Sequence, residues 1–349
     1  MEKEQLQQLI ENNKDDLFSE IKEEISDESV TDIEWDGYNL WITQLGRGCY
    51  IAMKELSDRY MDNLSIRLAN IMGVPFNRVH PILEANTETL RISIWHESRC
   101  GKKSMAIRKI PGKLRFGHVD LIQSDYAPES IITLLENCVT AHLSTVIGGQ
   151  PHAGKTELLK YLATYIPAEE KVGVYEDNQE IHYRQINPHS KCVEFFVDSK
   201  VSYQDIIKAG LRHNIDWVLL SESRGPEVME LLNSLSTGAY CMTTMHLDDI
   251  RDMPDRMYSM LGKGESSERF INSIYKYIDL VVLVDCDRFE KRKIRQVGFL
   301  SRNHGNNSCT VVFEDGEFKD VDIPEDIKEK FIRFGIDNPY VWRLSLIHI

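Results

Sequence analysis

The chain has 349 residues, of which 42% are hydrophobic, and it carries a formal net charge of −14 at pH 7. This length is typical of two domains, and the hydrophobic content is enough to form a core in each of them. This negative net charge argues against a protein that coats nucleic acid or anionic lipid. It remains compatible with local basic patches.

The first 110 residues predict a small α+β domain. Residues 1–25 place apolar side chains at helical spacing in a charged background, interrupted near Asn12. This amphipathic segment is expected to pack on its own domain, with a partner-docking arm as the alternative. From Val30 the apolar period changes to two, and Asp36-Gly37 is the turn signal of a β-hairpin. One helix and two strands follow, predicted at 58–72, 89–96 and 104–109.

Residues 111–128 predict a linker, because proline, glycine and charged residues occur there with weak periodicity. Residues 129–343 predict an α/β domain, in which strands alternate with helical patterns. That alternation is typical of a mostly parallel sheet with helices on both faces. The later strands are predicted at 171–175, 192–197, 217–221, 240–245 and 280–284, and two closing antiparallel strands at 293–299 and 308–313. The last residues, 344–349, fit no element.

Cysteine spacing and the lack of targeting signals favour the cytoplasm. The seven cysteines lie far apart with no C-x-x-C pair, so reduced thiols are expected rather than a metal site or disulfides. The first residues are acidic and polar, which argues against a secretory signal. The longest apolar run, Leu280–Val284, is too short to span a bilayer.

The segment from Ser144 to Thr156 carries the strongest functional signal. A short β-type run stops at two glycines and a helical pattern begins at Lys155, so the order is strand, glycine loop, helix. The loop fits G-x-x-x-x-G-K-[ST], the phosphate-binding loop of nucleoside triphosphatases. Its eight residues are Gly149, Gln150, Pro151, His152, Ala153, Gly154, Lys155 and Thr156.

Each key position of this loop has a chemical task. Gly149 and Gly154 let the backbone approach phosphate oxygens, so that successive N–H groups and the helix N-terminus bind the anion. Lys155 supplies a positive charge for the β- and γ-phosphates, and the Thr156 hydroxyl is a hard-oxygen ligand for Mg²⁺. A nucleoside triphosphate and Mg²⁺ are therefore expected at this loop. A plain strand-to-helix glycine turn is the alternative.

Polar side chains end three further predicted strands, at Glu176-Asp177, at Glu222 and at His246. Strands of an open parallel sheet end at the same carboxyl edge as the phosphate loop, so these side chains are expected to converge on the γ-phosphate. A carboxylate there can orient the attacking water, and which acid is the base stays open. The alternatives are solvated acids that cap the next helix and a structural histidine. His182, a weaker candidate, is expected to be structural.

Together these residues resemble the traffic ATPases of type II and type IV secretion, Tad-type pilus and conjugation systems. The resemblance covers roughly residues 28–290. Asn178 stands where the family usually has threonine, and Ala239 where it often has histidine. The segments that resemble the phosphate loop, Asp box, Walker B segment and His box are 149–156, 176–180, 222–225 and 243–246.

The resemblance implies a RecA-like ATPase domain preceded by a small α+β domain, assembled into a homo-hexameric ring. It implies ATP hydrolysis that powers protein secretion, pilus assembly or conjugative transfer, at the cytoplasmic face of the inner membrane and with a membrane platform protein as partner. Arg91 and Arg108 resemble arginines of the N-terminal domain that reach the nucleotide. Arg212 resembles an arginine that acts across subunits. No cysteine-rich metal module is seen, which favours the Tad and conjugation branch.

Two other functions fit parts of the pattern. A RecA-like nucleic-acid motor needs a basic, aromatic-bearing groove. The short basic clusters at Lys102-Lys103 and 291–295 are expected to be solvated instead, so no direct nucleic-acid partner is expected. A docking ring that senses ATP without hydrolysing it is the second alternative, and the joint presence of Lys155, Thr156 and Glu222 argues against it.

Overall fold

The computed structural model describes residues 3–198, 200–261, 267–287 and 291–342. The chain divides into two compact units, unit 1 with Met1–Gly112 and Asp287–Lys291, and unit 2 with Lys113–Cys286 and Arg292–Ile349. The predicted linker at 111–128 contains a short helix, and Leu121 of this helix lies in the core of unit 2. Residues 344–349 lie outside the described part of the chain.

Unit 1 is built on a six-stranded antiparallel sheet with the order β3-β2-β1-β6-β5-β4. The predicted hairpin is confirmed, with Trp35 opposite Leu40. Apolar residues at alternate strand positions are buried against the helices, as the period of two requires. The strands are β1 (Val30–Trp35), β2 (Leu40–Gln44), β3 (Gly48–Ile51), β4 (Ile82–Asn86), β5 (Leu90–Trp95) and β6 (Ser104–Lys109).

Apart from the four-residue helix Glu97–Cys100, the helices of unit 1 bury apolar residues in the same core as this sheet. The N-terminal segment breaks near Asn12, as predicted, into two α-helices, a 3₁₀ turn and a third α-helix. Helix α4 begins after the Ser57 side chain, which accepts the backbone N–H of Tyr60, and ends at Gly73 in a left-handed conformation. The helices are α1 (Lys3–Asn12), α2 (Lys14–Leu17), α3 (Lys22–Ser26), α4 (Asp58–Met72) and α5 (Glu97–Cys100).

Unit 2 is built on a nine-stranded sheet with the order β15-β14-β13-β12-β7-β11-β10-β8-β9. In this order, the six strands β12, β7, β11, β10, β8 and β9 pair in parallel. The four strands β15, β14, β13 and β12 pair antiparallel. The strands are β7 (Thr145–Gly148), β8 (Val172–Glu176), β9 (Cys192–Phe196), β10 (Trp217–Leu220), β11 (Tyr240–Met245), β12 (Leu280–Cys286), β13 (Arg292–Asn303), β14 (Asn306–Glu314) and β15 (Glu317–Phe318).

Helices cover both faces of this sheet. Ile147 of β7 belongs to one apolar cluster and its neighbour Val146 to another, so successive side chains enter opposite cores. Burial on both faces explains why the central strands read as continuous apolar runs. The helices are α6 (His118–Gln123), α7 (Glu129–Thr140), α8 (Lys155–Ala163), α9 (Tyr183–Ile186), α10 (Tyr203–Gly210), α11 (Glu227–Ser236), α12 (Met253–Ser259), α13 (Ser267–Tyr277) and α14 (Glu325–Arg333).

Three strands have no counterpart in the sequence prediction. Strands β3, β4 and β15 each lie at an edge of a sheet, where exposed residues weaken the apolar alternation. None of the described helices is long and apolar enough to cross a lipid bilayer.

Candidate active site

The phosphate loop leaves the sheet from one of its central strands. All four residues of β7 are buried, and β7 pairs in parallel with β11 on one side and β12 on the other. The chain then turns through residues 149–154 and enters α8 at Lys155. The loop therefore lies at the carboxyl edge of the sheet, directly before a helix N-terminus, where backbone N–H groups bind anions.

Two positions in this loop require glycine. Gly149 has φ 153°, and a Cβ there would lie 2.4 Å from the carbonyl oxygen of Val284. Gly154 is left-handed with φ 91°, and a Cβ there would lie 2.8 Å from Cδ of Arg292. The loop holds its shape because β12 and β13 pack directly against its backbone.

The Lys155 ammonium group lies inside the curve of the loop. Its Nζ donates to the carbonyl oxygens of Gly149 at 3.1 Å and Gln150 at 2.9 Å. Burial lowers the pKa of Lys155, while the negative charges of Glu222 and Glu180 act in the opposite direction. A cation fixed in this way is positioned to meet phosphate oxygens bound by the loop.

Thr156 faces a carboxylate that the sequence prediction did not select. Its hydroxyl donates to Oε2 of Glu180 over 3.4 Å. Mg²⁺ takes hard oxygen ligands and keeps several waters and phosphate oxygens, so a hydroxyl with one nearby carboxylate fits this ion. Among the described residues, no group of three or more His, Cys, Asp or Glu side chains forms a metal site of its own. The signal for Glu180 was its place four residues after Glu176 in the same acidic segment.

The structure brings Glu222 and His246 to the loop. Nε2 of His246 lies 3.1 Å from Oε1 of Glu222, and Nδ1 of His246 lies 3.4 Å from Nζ of Lys155. On its other side, Oε2 of Glu222 lies 3.7 Å from Nε of Arg224. Arg224 in turn donates to the carboxylate of Asp177. The ends of β8, β10 and β11 thus form one connected set of charges next to the loop.

Glu176 is separate from that set. Its side chain is 1% exposed, and Oε1 accepts the backbone N–H groups of Glu180 at 3.0 Å and Ile181 at 2.9 Å. Its other oxygen, Oε2, has no hydrogen-bond partner among the described residues. Burial raises the pKa of Glu176 to about 8, although the two backbone N–H groups oppose the rise. The catalytic role of Glu176 stays a prediction, and its contacts shape the turn that carries Glu180.

The three predicted arginines lie on different elements. Arg212 is exposed in a 3₁₀ turn that precedes β10, and therefore lies at the amino edge of the parallel sheet, opposite the phosphate loop. Arg91 and Arg108 are cross-strand neighbours on the sheet of unit 1, where Nε of Arg108 lies 2.8 Å from Oδ1 of Asp32. Their contact with a nucleotide stays a prediction. His182 is fully buried at the start of α9, where its φ is 50°.

Comparisons with known proteins identify the family of this chain. The model of the family described as "Type II/IV secretion system protein" matches residues 77–325. An uncharacterized protein of Bacillus anthracis is 24% identical over 298 residues, which are 82% of this chain and 67% of that protein. A putative conjugal transfer protein of Mycobacterium tuberculosis is 25% identical over 187 residues, 52% of this chain and 53% of its own length. The chain thus spans about half of that relative.

A solved structure shows the same fold. The X-ray structure of the Legionella pneumophila ATPase DotB is similar to 83% of this chain and 81% of its own, with a TM-score of 0.59 and 18% sequence identity. At that identity the likeness concerns the α/β fold.

Proposed function

Because the chain belongs to the type II/IV secretion system protein family, we propose that it hydrolyses ATP and powers protein secretion, pilus assembly or conjugative transfer. The observation that carries the proposal is the meeting of Lys155, His246 and Glu222 at the phosphate loop, with distances of 3.4 Å and 3.1 Å between successive partners. A loop that binds phosphate, a cation that neutralises it and a carboxylate beside them are the parts that phosphoryl transfer needs.

The residues of this site have separable tasks. The loop backbone and the N-terminus of α8 hold the phosphates, and Lys155 neutralises charge on the β- and γ-phosphates. When bound, Mg²⁺ withdraws charge from the same phosphates, and Thr156 and Glu180 are the residues that would hold it. Glu222 orients the water and accepts its proton, as that oxygen bonds to the γ-phosphorus and the bridging bond to the β-phosphate breaks. His246 links the Glu222 carboxylate to the loop.

The proposal extends to the assembly. We infer a homo-hexameric ring at the cytoplasmic face of the membrane, with a platform protein of a secretion or pilus system as partner. Support comes from Arg212, which is exposed at the sheet edge opposite its own phosphate loop and is therefore available to a neighbouring subunit. An arginine supplied in trans stabilises transition-state charge in other phosphate-loop enzymes.

Two substitutions test the proposed activity. Lys155→Ala removes the cation in the loop, so ATP binding should weaken by at least about tenfold. Glu222→Gln keeps the shape of the side chain but cannot accept a proton, so ATP should bind normally while kcat falls by about a hundredfold or more. Binding is measured with a fluorescent ATP analogue and turnover by phosphate release.

Lys328→Ala is the matched control, because Lys328 is a helical lysine of unit 2 that forms an ion pair with Glu325, one turn away on α14. It should leave both quantities unchanged. Equal ATP affinity in Lys155→Ala and the parent would overturn the phosphate-loop assignment. Normal turnover in Glu222→Gln together with loss of turnover in Glu176→Gln would move the base to Glu176.

A further inference from the structure

Glu222 and Asp177 share one arginine. Nη2 of Arg224 donates to Oδ2 of Asp177. Nε of the same guanidinium lies 3.7 Å from Oε2 of Glu222, which is beyond hydrogen-bond distance. Arg224 is therefore bonded to Asp177 and only adjacent to the carboxylate proposed as the base.

The backbone of Arg224 is fixed, so only its side chain can change partner. The backbone N–H groups of Arg224 and Gly225 both donate to Oε1 of Glu227 at 2.8 Å. The Arg224 side chain itself is half exposed. A small rotation would carry its fork of N–H donors from Asp177 to Glu222, where arginine forms a two-bond pair with a carboxylate.

Asp177 is held in the orientation that retains Arg224. Its Oδ1 accepts the backbone N–H of Asn178 at 2.8 Å and the hydroxyl of Tyr203 at 3.3 Å, which leaves Oδ2 to the guanidinium. Partial burial acts to raise the pKa of Asp177, but the Arg224 charge and the hydrogen bonds lower it below its ordinary value. Asp177 therefore carries the full negative charge that competes with Glu222 for the arginine.

We propose that Asp177 is a positioning residue that keeps Arg224 off Glu222, so that one oxygen of Glu222 stays available to the attacking water. His246 already lies at hydrogen-bond distance from the other oxygen of Glu222. If Arg224 closed on Oε2 as well, both oxygens would be engaged with donors and Glu222 would be a weaker base. The inference rests on the proposed ATP hydrolysis, and it adds a residue that keeps the base Glu222 available to water.

A double-mutant cycle tests this arrangement. Asp177→Asn releases Arg224 to Glu222, so kcat should fall by about tenfold or more while ATP affinity stays within about twofold of the parent. Adding Arg224→Gln removes the competing cation. The double variant Asp177→Asn/Arg224→Gln should then reach the kcat of Arg224→Gln alone, at a level above that of Asp177→Asn. A residue that only supports the fold would not be rescued by removing its partner.

Asp198→Asn is the matched control, because Asp198 is exposed and its side chain accepts the backbone N–H groups of Lys200 and Val201. It should leave kcat unchanged. If the parent hydrolyses ATP and the double variant stays as low as Asp177→Asn, Asp177 acts directly on the nucleotide or metal and the inference fails alone. If the parent does not hydrolyse ATP, the proposed function and the inference fail together.

Discussion

At the scale of single residues, two neighbouring acids of one strand end have opposite environments. Asp177 bonds to Arg224 and its pKa is lowered, whereas Glu176 is buried and its pKa is raised to about 8. A carboxyl group whose pKa is raised to about 8 is mostly protonated at neutral pH in the folded protein, which disfavours it as the base there. The contrast favours Glu222 as the base of the proposed reaction.

The raised pKa of Glu176 gives a testable dependence of stability on pH. Between the ordinary pKa of 4.5 and about 8, the folded state binds one proton more than the unfolded state. The free energy of unfolding should therefore fall as pH rises through this window, by up to about 1.4 kcal/mol per pH unit. Glu176→Gln, which cannot ionise, should remove this contribution. Thermal unfolding from pH 5.5 to 8.5 measures the difference between variant and parent.

Exposed Glu169 provides the control, since Glu169→Gln should follow the parent at every pH. Parallel curves for Glu176→Gln and the parent across the whole range would show that Glu176 is ionised in the folded protein. The stated role of burial at this position would then be wrong.

At the scale of elements, the phosphate loop depends on strand β12 for its shape. Gly149→Ala should destabilise the protein by about 1–3 kcal/mol and abolish nucleotide binding, because a Cβ at φ 153° would lie 2.4 Å from the Val284 carbonyl oxygen. Gly316→Ala is the matched control, because Gly316 also has a positive φ, 89°, but a Cβ there would have no atom within 4 Å. Gly316→Ala should therefore cost only the backbone strain of alanine at a positive φ, and nucleotide affinity should be unchanged. Melting temperatures and nucleotide titrations compare the two variants, and equal behaviour would contradict the packing argument.

At the scale of the whole molecule, the proposed ring predicts sites shared between subunits. Arg212→Ala should bind ATP normally yet hydrolyse it about a thousandfold more slowly if Arg212 completes a neighbour's site. Mixing Arg212→Ala with Glu222→Gln subunits should restore part of the activity, because some interfaces then pair an intact Arg212 with an intact Glu222. Turnover is measured over a series of mixing ratios, with mixed assembly checked by native mass spectrometry.

A second mixture tests whether the recovered turnover requires Arg212 and Glu222 on different subunits. Lys155 and Glu222 both lie at the phosphate loop of their own subunit. Every site in a mixture of Lys155→Ala and Glu222→Gln subunits therefore lacks one of the two, and the mixture should stay inactive. Mixed rings of Arg212→Ala and Glu222→Gln that are inactive at every ratio would place Arg212 within its own subunit's function or in a structural role.

The sequence by itself determined most of the elements and the position of the phosphate loop. The hairpin, helix α4 and the parallel strands follow from local periodicity, which depends only on backbone geometry. The glycine loop and the strand-end positions of Glu222 and His246 were also predictable, because parallel strands share one carboxyl edge. Edge strands such as β3 and β4 were not, since partner strands and not their own patterns define them.

Only the tertiary structure decided how the charges pair. Glu176 and Asp177 are adjacent acids in the sequence, yet packing buries the first and turns the second toward Arg224, 47 residues away. Thr156 likewise faces Glu180 instead of Glu176. Local pattern places a residue at a strand end, but its side-chain partner depends on how distant loops pack there, and that packing determines each acid's protonation state and chemical role.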